Sequence, residues 1–375
     1  MTSSFHPPQR LLLGPGPSNV PPRVLAALAR PTIGHLDPRF VAMMDEVKAM
    51  LRRAFLTENA LTIPISAPGS AGMEACFVNL IEPGDTVVVC QNGVFGGRMR
   101  ENVQRVGAKA VMVNDPFGQP IDLGKVEAAL KANPGAKALT FVHAETSTGV
   151  ESDAPALCRL AHDHGCLAIV DAVTSLGGIP LRVDAWGADA VYSGSQKCLS
   201  APPGLAPLTF GERAVAVLRA RKTPVQSWFL DLGLVMAYWQ GEGARSYHHT
   251  APINMLYGLH EALVMLEEEG LEAAWARHRA NHLRLCEGLQ ALGLELLVAE
   301  PSRLPQLNAV KVPAEVDEAG IRRRLLDGHG IEIGAGLGEL AGKAWRIGLM
   351  GASSTPDSVD RVLAALAEVL GRRAP

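Results

Sequence analysis

Two hydrophobic periodicities alternate along the chain. Short continuous apolar runs at 61–65, 86–90, 110–113, 138–142, 167–170, 188–192 and 206–210 are bounded by Gly, Pro or charged residues. Runs of that length and composition predict strands buried on both faces. Between them lie stretches with apolar residues at helical spacing. In 40–55 these are Val41, Met44, Val47, Met50 and Leu51, and similar stretches cover 73–81, 123–132, 155–164 and 213–221. An earlier helix over 21–29 starts at a Pro, which suits a first helical turn. Strand–helix alternation of this kind predicts an α/β layer built on a mostly parallel sheet.

From about residue 293 the pattern changes. Helices at 253–269 and 271–292 precede short strands at 294–298, 308–312, 331–333 and 345–348, with helices at 318–326 and 358–370. This predicts a smaller α+β C-terminal domain over 259–375, joined by the 253–269 helix to a large domain over 21–258. Residues 1–20 form a separate arm. Gly14-Pro15-Gly16-Pro17-Ser18-Asn19 cannot be helical. The preceding Leu11-Leu12-Leu13 needs apolar surface to bury against, so the arm is expected to pack across the molecule or onto a partner.

Composition narrows the function classes. The 375 residues are 47% hydrophobic with a net charge of −3 and no basic block, which argues against nucleic-acid or membrane-surface partners. No apolar run reaches membrane-spanning length. The six cysteines match no disulfide or zinc spacing. A cytoplasmic protein with reduced thiols is expected. His162-Asp163-His164-Gly165 reads as a helix end with a glycine stop, and no metal site is expected.

The candidate chemistry lies at strand ends. The 167–170 run ends in Asp171, and the 188–192 run leads through Ser193-Gly194-Ser195-Gln196 to Lys197. Open α/β sheets bind their ligands at the C-terminal strand ends. A lysine that can form an imine and an acid that can hold a pyridinium nitrogen are what pyridoxal phosphate (PLP) requires of a protein. Ser66-Ala67-Pro68-Gly69-Ser70-Ala71-Gly72 leads from a strand into a helix N-terminus, a natural anion site. Phe95 stands among glycines after another strand and could stack on a planar ring. Taken singly, each has a plainer reading: a strand-end acid, a solvated lysine, an ordinary turn, a core aromatic.

Their order along the chain resembles the class V PLP aminotransferases of fold-type I, and within them the alanine–glyoxylate / serine–pyruvate aminotransferase family. The resemblance is carried by the Gly14–Asn19 arm, Gly34-His35-Leu36-Asp37-Pro38, Glu145-Thr146-Ser147-Thr148-Gly149, Ser193-Gly194-Ser195-Gln196-Lys197, Tyr247-His248-His249-Thr250 and Trp345-Arg346-Ile347-Gly348-Leu349. It implies Lys197 as the Schiff-base lysine and proton shuttle, with Asp171 on the pyridine nitrogen. It implies Phe95 as the stacking ring, where many relatives carry Trp or Tyr. Gly69, Ser70 and Ala71 would cradle the phosphate, and Thr146 and Gln196 would add polar contacts. Tyr247 and Thr250 would reach the cofactor of the neighbouring subunit, making a homodimer with shared sites. Arg346 would clamp the substrate carboxylate, with Gly16 and His35 close to the substrate.

The expected activity is transamination of alanine or serine with glyoxylate or pyruvate, because only one carboxylate clamp is evident. Ureidoglycine, pyridoxamine or aminoethylphosphonate are alternative donors on the same fold. Asn254 could serve a ureido group, or simply cap a helix. A cysteine desulfurase would need a mobile reactive thiol, and Cys198 beside Lys197 stands on a segment expected to be rigid. A binding protein without catalysis would not need Lys197, Asp171 and Arg346 together.

Overall fold

The computed structural model describes residues 2–239 and 245–373, so residue 1 of the predicted arm, residues 240–244 of the predicted large domain and residues 374 and 375 of the predicted C-terminal domain lie outside it. Seven strands form the main sheet: β1 Leu61–Ile65, β2 Thr86–Gln91, β3 Lys109–Asn114, β4 Ala138–Val142, β5 Leu167–Asp171, β6 Ala190–Tyr192 and β7 Ala206–Phe210. Their order is β1-β7-β6-β5-β4-β2-β3. Only β7 runs antiparallel, to both its neighbours. Every residue of β1, β4, β5, β6 and β7 is buried, which is why these strands read as unbroken apolar runs. The three threonines inside this layer are all satisfied: Thr62 and Thr209 face across β1 and β7 with hydroxyls 2.8 Å apart, and Thr140 of β4 donates to Met99 Sδ at 3.2 Å. β6 starts later than the 188–192 run suggests. Asp189 interrupts it, its carboxylate taking the Ala168 amide at 2.8 Å and the Arg213 guanidinium at 3.1 Å.

Three helices escape the periodicity, the single turn Val183–Trp186 and two longer ones. Val94–Arg105 contains Gly96-Gly97 and begins on Gly93, without a side-chain cap of its own. Leu232–Trp239 is apolar on nearly every side, so it has no alternation to reveal it.

The C-terminal part carries a three-stranded antiparallel sheet, β8 Leu307–Lys311, β9 Gly334–Ala335 and β10 Ala344–Gly348, in the order β8-β10-β9. The strand expected over 294–298 is reduced to a single bridge, Leu296 to Val310. Only two backbone hydrogen bonds tie this segment to β8, Leu297 N to Ala309 O and Lys311 N to Glu295 O. A second core gathers around Trp345, Ile347, Leu325 and Leu363, separate from the core under the main sheet.

The arm packs across its own chain. Leu11–Leu12 pairs in parallel with Ile331–Glu332. Leu13 is fully buried in the second core, a burial worth about 2 kcal/mol. Ser18 Oγ then donates to Lys197 O at 2.8 Å, which brings Pro15 and Gly16 to the end of the main sheet.

Candidate active site

Asp171 is the last residue of β5, and its carboxylate is buried. It accepts the Val173 amide at 2.9 Å and the Tyr192 hydroxyl at 2.8 Å. Burial pushes its pKa up to about 6 against these hydrogen bonds. A buried carboxylate held this way has its ionised form destabilised. A cation placed against it would restore that form.

Lys197 follows β6 through a tightly tied turn. Ser193 Oγ donates to Ala172 O at 2.9 Å and Ser195 Oγ to Pro202 O at 2.6 Å. The Lys197 ammonium donates to Pro15 O of the arm. Burial brings its pKa down to about 8, with Arg346 lowering it further and Asp171 opposing. Gly16 leaves room for this side chain. At φ +101°, a Cβ there would stand 2.6 Å from Lys197 Cδ and Nζ.

One cavity joins these groups to Gly69, Ser70, Phe95, Thr146 and Gln196. Gly69 and Ser70 open the helix Gly69–Leu80 and present its N-terminal end there. Ala71 does not line the cavity, and its amide is spent on Pro68 O at 2.8 Å. Gln196 Oε1 is buried without a hydrogen-bond partner. Sequence reasoning missed Arg98, which also lines the cavity with its guanidinium 4.9 Å from the Phe95 ring. The three-residue spacing from Phe95 would have signalled it, had the helix been recognised.

Arg346 lies on β10, nearly buried. Its Nε donates to Ala335 O at 2.7 Å and its Nη1 to Thr146 O at 3.1 Å. Burial lowers its pKa to about 10, while Glu145 pulls the other way. Those two bonds fix the guanidinium from the domain side and leave other N–H groups of the fork for a ligand.

Tyr247 and Thr250 do not reach this chain's own cavity; both are exposed, Tyr247 at 64%. His35 packs its ring 5.4 Å from that of Tyr247, also outside the cavity lining. Asn254 is spent on structure, donating to Leu28 O at 2.8 Å and Arg30 O at 2.9 Å and accepting from Thr32 at 2.6 Å. Among the described residues no cluster could hold a metal ion, and no helix is long and apolar enough to cross a membrane.

The donor set fits a PLP-sized group with an anionic end and a basic ring nitrogen. Asp171 has a destabilised charge to offer, Gln196 an unpaired oxygen, and the Gly69–Leu80 helix its positive end. An α/β sheet with an acid and an amine of lowered basicity at its ligand-binding edge, faced by a half-satisfied arginine from a smaller C-terminal sheet, is the arrangement of the PLP enzymes of fold-type I. The family model described as "Aminotransferase class-V" matches residues 10–361, and the chain belongs to that PLP-dependent aminotransferase family. It is 44% identical to an alanine–glyoxylate aminotransferase of Oryctolagus cuniculus, covering 97% of this chain and 93% of the relative. It is 38% identical to the (S)-ureidoglycine–glyoxylate transaminase of Bacillus subtilis, covering 97% and 91%. The crystal structure of an alanine–glyoxylate aminotransferase from Nostoc sp. superposes with a TM-score of 0.96 at 46% identity, over 99% of this chain and 97% of that one.

Proposed function

We propose that this protein transfers the amino group of a small amino acid, alanine or serine, to glyoxylate or pyruvate, with PLP held by Lys197, as a cytoplasmic homodimer. The observation that carries the reading is the convergence of Asp171, Lys197 and Arg346. Two come from ends of the main sheet and one from the C-terminal sheet, and Thr146, which lines the cavity, holds the third.

When bound, PLP supplies an electron sink beside the substrate Cα. The residues do the rest. Asp171 would hold the ring nitrogen in its charged form. Phe95 would pack against the ring, Gly69 and Ser70 would receive the phosphate at the helix N-terminus, and Thr146 and Gln196 would add polar contacts. The lowered pKa of Lys197 leaves part of it neutral near pH 7.5, so it can act as nucleophile and then accept and return a proton at Cα. Arg346 holds the substrate carboxylate, fixing the Cα–H direction relative to Lys197. Support for small donors is the single clamp and the relatives that act with alanine. The ureido alternative gains nothing from Asn254, whose amide is committed to the 28–32 loop. The desulfurase reading fares no better. Cys198 is buried with its thiol toward Thr174 O, and burial pushes its pKa up to about 12.

The dimer is supported by exposed aromatics around the Tyr247 segment. Trp228, 63% exposed, stacks on His248 at 4.4 Å, and Phe229 lies beside it. The cytoplasmic assignment rests on six free cysteines.

The test is visible absorbance of the purified protein supplied with PLP. Alanine should bleach the band of the bound cofactor and glyoxylate should restore it. A band that responds only to another donor would move the substrate, and the lack of any band would overturn the reading.

A further inference from the structure

Glu145 is the one carboxylate of the site region that the proposed chemistry leaves without a role. It is fully buried, and burial pushes its pKa up to about 7. Its hydrogen bonds explain why it is there. Oε1 accepts the Ser147 amide at 3.0 Å and the Ser147 hydroxyl at 2.6 Å, and Oε2 accepts the Phe95 amide at 3.2 Å. Ser147 Oγ in turn accepts the Val94 amide at 2.9 Å. The first two amides of the helix Val94–Arg105 are therefore capped by a different loop, and Gly93 provides no side-chain cap. Gly93 has to be glycine for this approach, because a Cβ there would stand 2.3 Å from Glu145 Cγ and Cδ. A carboxylate at a helix N-terminus also gains from the helix dipole.

The residue between the two caps is Thr146, whose carbonyl holds Arg346. Glu145 thus touches both walls of the site. Through Phe95 N it fixes the start of the helix that carries the Phe95 ring and the Arg98 guanidinium. Through Oε1, which holds both the Ser147 amide and the Ser147 hydroxyl, it fixes the loop that carries the Thr146 carbonyl on which Arg346 rests.

We infer that Glu145 is a positioning residue that sets the stacking ring of Phe95 and the carboxylate clamp of Arg346 in register with each other. The inference rests on the transaminase reading and says which buried group aligns its two substrate-facing elements. An isosteric Glu145→Gln change tests it directly. Both carboxylate oxygens face N–H donors, so whichever way the amide turns, its NH2 meets a donor and one cap is lost.

Kinetics, circular dichroism of the bound cofactor and thermal melting are compared for wild type, Glu145→Gln and Ser147→Ala. Glu145→Gln should raise KM for both amino donor and 2-oxo acid about tenfold, a loss of about 1.4 kcal/mol in binding, with a smaller fall in kcat. The dichroism band induced in the cofactor should weaken, because the ring loses its fixed tilt. Ser147→Ala, which removes only the hydroxyl link, should shift both quantities in the same direction by less. Melting changes alone, with KM and the dichroism band unchanged in both variants, would make Glu145 an ordinary structural cap and overturn the inference. Failure of the transaminase reading would show in the wild type itself, as absence of the cofactor band.

Discussion

Asp171 and Lys197 have opposite charges and are shifted in opposite directions by one cause, burial at the end of the sheet. For Asp171 this has a consequence in the cofactor-free protein. Its folded pKa of about 6 lies above the ordinary aspartate value of 3.8, so the folded state binds the proton more tightly. The stability this group contributes is present below pH 3.8 and is lost as pH rises through 6. Chemical denaturation of cofactor-free wild type and Asp171→Asn at pH 4.5 and pH 7 should show the wild type losing about 2 kcal/mol more than the variant across that interval. A pH-independent difference between the two proteins would mean that Asp171 is not desolvated. Added PLP should stabilise the wild type most at the upper end of the window, where the carboxylate is charged and unpaired, and should do much less for the variant. Asp171 stood out in the sequence because it ends an apolar run, and Lys197 because it follows one through a short polar turn, whereas Arg346, inside Ala344–Gly348, was singled out only by the family resemblance. Glu145 and Arg98 did not stand out, because their roles follow from a helix that the sequence does not advertise.

Elements are held to the site by contacts that local pattern does not encode. The main-sheet strands were readable because both faces are buried. The Leu11-Leu12-Leu13 arm was readable because three leucines cannot remain in water. The helix Val94–Arg105 shows no helical signal in the sequence, because two consecutive glycines lower helix propensity and its cap is supplied from residues 145 and 147. The 294–298 segment reads as a strand from its apolar residues, yet makes only one bridge. Nor does any short-range pattern show that Gly16 of the arm must leave space for Lys197. Gly16→Ala therefore tests the arm as an element. The methyl group cannot be accommodated without moving Lys197 or the arm, and a shift of about 1 Å at the reacting amine should lower kcat/KM about 100-fold. The arm's Leu11–Leu13 anchor is untouched, so the melting temperature should fall little. A variant with wild-type kcat/KM would show that the arm and Lys197 do not need this close approach.

Across the whole molecule the proposed site residues fall into two groups. Every proposed site residue except Tyr247, Thr250 and His35 is gathered at or beside one cavity. Those three stand apart, with Tyr247 and Thr250 on the surface near Trp228 and Phe229. Exposed aromatics cost little only if something covers them. If Tyr247 completes the site of a second copy, activity can be rebuilt from two damaged chains. Lys197→Ala removes the nucleophile from its own site, while Tyr247→Ala removes a group from the partner's. In a mixed dimer one site carries both defects and the other carries neither. Co-refolding equal amounts of the two variants should therefore recover about a quarter of wild-type activity, because about half the dimers are mixed and one of their two sites is intact. Refolded alone, Lys197→Ala should stay inactive, and Tyr247→Ala should need much more PLP to reach its residual rate. A mixture that gives only the sum of the separate activities would place Tyr247 in the site of its own chain or in none. The same mixture examined by size-exclusion chromatography separates that outcome from a failure to associate, since a mixed dimer that forms and stays inactive would count directly against shared sites.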